Sequence, residues 1–347
     1  MKNLIATLCC CSAFAMTATA QETARKFRFD ADQPFTLLQI TDIQDGPNLK
    51  PRVAALIDAA IVETRPDLIL LTGDNIGSCN EKGVFEKAVT AFIDIFVKHR
   101  IPFAVTFGNH DSEREGENNY TREEQYALYR QFGGEFFVDH DIPRLSGTGN
   151  GVIPLHAAAS DEVLFNIFLM DSGAYARGGG YDGVKSDQIA WYEEVSGSIP
   201  CLWFQHIIVP DIADHGILRE VPGETAGSVK YAGKHYLLNT ERATGLLMEP
   251  PCPPRRAVYE SEAYTFEGRT LYQSWVKMGN LKGAYFGHDH KNTLDGTDEN
   301  GIRLGFCKAA TLASYNDDNP GCRVFKISPD GTFSTRTITE ADLKLKK

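Results

Sequence analysis

Leu68-Ile69-Leu70-Leu71-Thr72-Gly73-Asp74-Asn75 is the stretch from which the fold can be read. Four aliphatic residues and a threonine run without a break and stop at a glycine, a carboxylate and an amide. A run this short, bounded by turn residues, reads as a strand buried on both faces. Strands of that kind belong to sheets covered by helices. Upstream, residues 35–41 form a second such run that leads into Asp42-Ile43-Gln44. Downstream, residues 103–107 form a third that leads into Gly108-Asn109-His110-Asp111. Residues 164–170, 202–209 and 284–286 read the same way. The second of these carries Phe204-Gln205-His206, and the last ends in Phe286-Gly287-His288-Asp289-His290. Helical periodicity occupies residues 51–63, 81–99, 122–132, 186–195 and 270–278. Strands alternating with helices predict an α/β layered fold. Residues 302–308, 322–327 and 332–338 are strand-like and joined by Asn319-Pro320-Gly321 and Pro329-Asp330-Gly331, which predicts an antiparallel closing section.

The composition agrees with a folded enzyme-sized chain. Its 347 residues are 42% hydrophobic and 23% charged, which excludes the disordered and fibrous classes. A net charge of −11 gives no general attraction for nucleic acid or anionic lipid, so no nucleic-acid partner is expected. Lys2, an apolar or small-residue run over residues 4–18, and Ala18-Thr19-Ala20 read as a secretory signal peptide, 1–20, cut before Gln21. A membrane anchor is disfavoured by the short run. A lipoprotein is disfavoured because Leu or Cys precedes each of Cys9, Cys10 and Cys11. No later run is long enough to span a bilayer, so a secreted or periplasmic protein is expected, with residues 21–347 as a single domain. Five cysteines then remain, Cys79, Cys201, Cys252, Cys307 and Cys322, at spacings that match no zinc cluster. Cys307 and Cys322 fall on apparently neighbouring strands and are the candidate disulfide, whereas Cys201 reads as a core residue. Residues 211–263 are rich in Pro and Gly with little periodicity, and a segment of that kind inside a domain reads as a functional loop or lid.

The chemistry sits where the strands end. In open α/β sheets, ligands bind beyond the carboxyl ends of the strands. Five such ends offer Asp42, Asp74, Asn109-His110, His206 and His288-x-His290 to one crevice. Carboxylates, imidazoles and an amide oxygen suit two adjacent cations, one carboxylate bridging them. Such a pair can bind both the attacking and the leaving oxygen of a phosphoryl transfer. Each fragment alone has a plainer reading as a helix cap, a polar turn or a core histidine; their joint order carries the argument. His99, His140, His156, His215 and His235 lack ligand-like spacing. Arg255 and Arg256 are candidates for gripping phosphate, and Tyr175, Tyr181 and Tyr231 for lining a pocket. Gly178-Gly179-Gly180 neither follows a strand nor opens a helix, which excludes a dinucleotide site.

On these residues the chain resembles the calcineurin-like metallophosphoesterase superfamily, whose ordered pattern is Asp-x-His, Gly-Asp, Gly-Asn-His-Asp/Glu, His and Gly-His-x-His. The resemblance covers about residues 35–327. It is strongest to the branch of purple acid phosphatases and Dcr2-type phosphatases, through Thr72-Gly73-Asp74-Asn75, Gly108-Asn109-His110-Asp111-Ser112, Met170-Asp171-Ser172-Gly173 and Gly287-His288-Asp289-His290. It implies a four-layer α/β/β/α sandwich of two mixed sheets and two divalent metal ions (Mn, Fe, Zn or Mg). It implies Asp42 and His290 on the first ion, Asp74 between the two, and Asn109, His206 and His288 on the second. His110 then protonates the leaving oxygen or stabilises charge on the phosphate, with Asp111 orienting or tuning it, and the nucleophile is a metal-bound hydroxide. Gln44 departs from the pattern, which has His there. Gln ligates only through its carbonyl oxygen, so the first set reads Asp42, Gln44, Asp74 and His290, which favours a harder ion; Asp45 is placed to contribute through water. The tyrosine expected three residues after the bridging Asp is Gly77, so no purple ferric centre is expected. The implied activity is hydrolysis of a small phosphorylated substrate, in the first place a phosphomonoester. A phosphodiesterase on the same core, or a non-catalytic protein that binds a phosphate ligand, is the alternative. Nothing in the chain implies an oligomeric state.

Overall fold

The computed structural model describes residues 25–114 and 116–345. The signal-peptide reading of residues 1–20 therefore lies outside the described residues. Two large sheets face each other. The first runs Phe333–Thr339, Gly321–Ile327, Phe35–Ile40, Leu68–Thr72, Phe103–Thr106. Its last three strands are parallel, and the other two close it antiparallel. The second has eight strands in the order Phe27–Arg28, Gly151–His156, Val163–Met170, Cys201–Gln205, Leu281–Phe286, Arg303–Phe306, Asp295–Thr297, Ala243–Thr244.

Period-two alternation assigns each strand residue to one of two cores. Leu37, Leu68 and Leu70 turn inward against Ile167, Leu169, Leu202 and Phe204 of the opposing sheet. Leu38, Ile40, Ile69 and Leu71 turn outward onto the helices Pro51–Thr64, Phe85–His99 and Arg122–Gly133. On the far side Phe168, Trp203, Ala284 and Phe286 pack against Ile189 and Tyr192 of the helix Ser186–Val195 and Trp275 of the helix Leu271–Met278. The layers are helix, sheet, sheet, helix, as the resemblance implies.

Local chemistry sets the helix ends. Thr121 with Glu124, and Thr270 with Gln273, form capping boxes, each satisfying amides that the first turn leaves open. The second expected helix begins only at Phe85, because Gly83 adopts a φ of 83° and breaks the turn ahead of it.

Two expectations are corrected. The three C-terminal runs do not form one antiparallel unit. Arg303–Phe306 pairs parallel to Leu281–Phe286 in the eight-stranded sheet, while Gly321–Ile327 and Phe333–Thr339 close the five-stranded one. The chain crosses between sheets over residues 307–320, so Cys307 and Cys322 are not on neighbouring strands. Both are buried free thiols, as Cys79, Cys201 and Cys252 are free. Residues 211–263 are also more ordered than their composition suggests. Leu218–Val221, Lys234–Leu238 and Val229–Tyr231 form a three-stranded antiparallel sheet, anchored in the core through Ile217, Leu218 and Tyr236.

Among the described residues, no helix is long and apolar enough to cross a membrane.

Candidate metal centre

The parallel strands Phe35–Ile40, Leu68–Thr72 and Phe103–Thr106 of one sheet, and Cys201–Gln205 and Leu281–Phe286 of the other, end at the same edge of the sandwich. The residues expected as ligands converge there. Asp42 and Asp74 both adopt left-handed backbone, with φ of 52° and 49°. Non-glycine residues hold that conformation only where surrounding contacts impose it. Asp42 Oδ2 accepts from the Thr41 hydroxyl at 2.8 Å and from the His288 amide at 3.0 Å. Asp74 Oδ1 accepts from the His110 amide at 2.7 Å. The loops are packed so closely that a Cβ on Gly108 would strike Asp74 and one on Gly287 would strike Thr41; glycine is required there for close approach.

The imidazoles are oriented from behind. His206 Nδ1 lies 3.1 Å from the Thr72 carbonyl, and His290 Nδ1 lies 2.6 Å from that of Tyr315. A carbonyl accepts only, so both rings carry hydrogen on Nδ1 and turn Nε2 inward, the orientation in which metal-binding histidines are held. His206 Nε2 is 3.1 Å from Asp74 Oδ2, and His290 Nε2 is 3.3 Å from Asp42 Oδ1. Asp74, His206 and His288 bring ligand atoms within 4.8 Å of one another. Asn109 Oδ1 and His288 Nε2 are buried with no hydrogen-bond partner, and Asp42 Oδ1 and His206 Nε2, which face only other ligand candidates, lack a well-directed one. Buried polar atoms are nearly always paired, so inward-facing orphans of ligand type fit divalent cations. Burial lowers His206, but the Asp74 and Asp42 carboxylates outweigh it and lift the ring to about 9. Burial and the neighbouring His206 push His288 down to about 3.

Gln44 reaches the first set. Its Nε2 donates to Asp74 Oδ2 at 3.0 Å and lies 3.3 Å from His290 Nε2, so the amide end stands between two ligand candidates and must turn over to offer its oxygen to a cation. Asp45 turns elsewhere: it accepts from the Lys50 amide at 2.7 Å and pairs with the Lys50 ammonium at 3.3 Å. Gln44→His should therefore tighten zinc at the first set by roughly ten- to a hundredfold, the scale on which one supporting group changes metal affinity. Calorimetric titration of both proteins with zinc reads this directly, and equal first-site affinities would mean that residue 44 is no ligand.

His110 presents Nε2 to the centre, 3.9 Å from Asp74 Oδ2. Asp111 does not face it. Asp111 accepts from the amides of Asp74, Gly108 and Ile76 at 2.9, 2.7 and 3.2 Å, pinning two ligand loops together. Arg122, which sequence reading left unassigned, donates to Asp171 at 2.7 Å and to the Gly108 carbonyl at 2.6 Å.

Tyr181 meets the His288 ring edge-on at 4.2 Å, and Tyr315 stacks on His290 at 4.1 Å. Tyr231 lies instead beside Tyr236 in the small sheet. Of the arginine pair, Arg256 is committed to Asp214, Glu260 and the Pro210 carbonyl. Arg255 donates to the Gly178 carbonyl at 3.1 Å, on the loop that carries Tyr175 and Tyr181.

The sequence profile of a family described as calcineurin-like phosphoesterase matches residues 35–292. A curated protein named "Probable inactive purple acid phosphatase 14", from Arabidopsis thaliana, is 24% identical over 336 residues, covering 84% of this chain and 74% of the relative. Phosphatase DCR2 of Saccharomyces cerevisiae is 24% identical over 150 residues, covering 42% of this chain and 26% of its own length. Among solved structures, a purple acid phosphatase from yellow lupin (Lupinus luteus) seeds aligns with a TM-score of 0.44 at 12% identity, over 88% of this chain and 52% of that one.

Proposed function

The chain belongs to the calcineurin-like phosphoesterase family, whose members use divalent metal ions, and on that premise we propose that it is a secreted or periplasmic phosphomonoesterase holding two such ions. The observation that carries the reading is His110 Nε2, 3.9 Å from Asp74 Oδ2, at the mouth of a converging set of orphaned ligand atoms. Asp42, Gln44, Asp74 and His290 would hold the first ion, and Asp74, Asn109, His206 and His288 the second. When bound, such ions lower the pKa of water toward neutrality and stabilise charge on phosphate oxygens. The residues supply the remainder. Water adds to phosphorus and loses a proton to solvent, the ester P–O bond breaks, and the departing oxygen takes the Nε2 proton of the doubly protonated His110, which solvent then restores. Asp111 keeps the Asp74 and Gly108 loops in register, so that the acid and the ligands share one frame.

Residues 246–256 border this mouth. The Met248 amide donates to Asn292 Oδ1 at 2.8 Å, Glu249 accepts from the Lys291 amide at 2.8 Å, and Arg255 reaches the loop of Tyr181. These contacts support residues 211–263 as a lid-like region that selects among small phosphorylated substrates.

A second reading is a protein that binds metal and phosphate without turnover. Gln44 in place of histidine favours it, as does the word "inactive" in the name of the Arabidopsis relative. One experiment separates the two. Purified protein loaded with manganese or zinc should carry about two ions per chain and hydrolyse p-nitrophenyl phosphate faster than bis(p-nitrophenyl) phosphate. A preference for the diester makes it a phosphodiesterase. Bound metal with no turnover of either ester leaves the binding protein.

A further inference from the structure

We infer that Glu113 is a positioning residue that orients two groups at once, the His110 imidazole directly and the Asn109 amide through Tyr175. The inference rests on the phosphomonoesterase reading for its kinetic consequence, though not for its geometry. His110–Ser112 is a single 3₁₀ turn, and Glu113 is the residue that ends it. Residues three apart eclipse in 3₁₀ geometry, so the Glu113 side chain stands over His110. Glu113 Oε2 lies 2.8 Å from His110 Nδ1. A carboxylate accepts only, so the ring carries hydrogen on Nδ1 and turns Nε2 toward Asp74.

The same carboxylate reaches further. Glu113 Oε1 accepts from the Tyr175 hydroxyl, and Oε2 accepts from the Ser78 hydroxyl. Tyr175 Oη, its own hydrogen given to Glu113, accepts from Asn109 Nδ2 at 3.0 Å. That bond commits the nitrogen end of the amide and leaves Oδ1, which is buried and unpartnered, as the atom offered to a cation. One donor chain thus runs from Asn109 through Tyr175 to Glu113, and a second runs from His110 to the same side chain. Asp111 is unavailable for either task, because its oxygens are taken by three backbone amides. Glu113 is partly buried, with its side chain 26% exposed, while its bonds to Tyr175 and Ser78 lie at the surface.

The test uses the full chain loaded with zinc and compares wild type with Glu113→Ala, Glu113→Met, Glu113→Gln and Tyr175→Phe. Nitrogen NMR of labelled histidine, recorded at a pH where the ring is neutral and with the His110 signal assigned by its loss in His110→Ala, should show hydrogen on Nδ1 in wild type. Both tautomers should appear in Glu113→Ala and Glu113→Met. Glu113→Gln keeps an acceptor and should retain the wild-type tautomer. Turnover of an alkyl phosphate should fall ten- to a hundredfold in the Ala and Met variants, the scale for losing a supporting hydrogen-bond partner. It should fall less on p-nitrophenyl phosphate, whose leaving group needs no proton, and KM should change little. Tyr175→Phe should weaken zinc at the second site by about tenfold without altering the His110 tautomer. Should Glu113→Ala fail to fold by circular dichroism, Glu113→Met keeps the side-chain volume and carries the same comparison. An unchanged tautomer in Glu113→Met, or equal losses on the two esters, overturns the positioning role. Wild type that hydrolyses neither ester overturns the phosphoesterase reading instead, and the tautomer still decides the role of Glu113.

Discussion

Replacing His110 with Ala should slow hydrolysis of an alkyl phosphate by roughly a hundredfold or more, the usual contribution of a positioned general acid. That factor corresponds to about 2.7 kcal/mol of transition-state stabilisation. The loss should be confined to chemistry. The His110 side chain is outside the ligand set and 36% exposed, so its removal leaves little cavity. The backbone amide that holds Asp74 Oδ1 at 2.7 Å survives any substitution. Metal content and unfolding temperature should therefore stay close to wild type. The leaving group discriminates further: p-nitrophenolate departs without a proton and should suffer less than an alkoxide. Steady-state kinetics on both esters, with metal analysis of the same samples, reads all of this. Full activity of the variant on the alkyl ester would remove the acid role from His110.

The ligand set could be read from the chain because strand ends announce themselves. Each of Leu68–Thr72, Phe103–Thr106 and Leu281–Phe286 is buried along its length, or nearly so. The first polar residue after each run therefore marks the sheet edge. The sandwich follows from the same runs, since Leu37 and Leu38 can both be apolar only if each face of the sheet is covered. Elements without that signature stayed hidden. Gly151–His156 carries Pro154 and a glycine, and its burial alternates. Leu218–Val221 and Lys234–Leu238 carry exposed Arg219, Glu220 and Lys234, so their polarity reads as loop. The mistaken pairing of Cys307 with Cys322 has a related cause: turn residues show that the chain reverses, but not that it changes sheets.

The supporting residues were harder to read than the ligands for a geometric reason. Glu113 meets His110 only because the intervening turn is 3₁₀, a choice that three residues of sequence do not announce. Tyr175 arrives from a loop far along the chain, and its hydroxyl joins two groups that sequence separates widely. Asp171 stood out within Met170-Asp171-Ser172-Gly173, but its partner Arg122 lies on a helix whose pattern marks only the apolar face.

That partnership should be the most costly to break in the neighbourhood of the site. Arg122 donates two bonds to Asp171, one to the Gly108 carbonyl and one to Ser112 Oγ, and the Asp171 side chain is fully buried. Arg122→Met keeps the aliphatic stem but leaves a carboxylate inside the protein with only backbone donors, the Thr148 and Gly173 amides. Removing one member of a buried ion pair costs about 3–5 kcal/mol, because the remaining charge is uncompensated. Urea unfolding should show a loss of that size. Arg122→Met combined with Asp171→Leu removes both charges and should recover most of it, since apolar replacement of a whole buried pair is often neutral. Activity should not recover with stability. The double variant still lacks the donor to the Gly108 carbonyl, next to Asn109 and His110, so the loop that holds a ligand and the acid loses its anchor. A stable double variant with wild-type turnover would show that the Arg122 bond to Gly108 does not position the site. A single variant that loses less than about 1 kcal/mol would place the pair with exposed ion pairs, which contribute little.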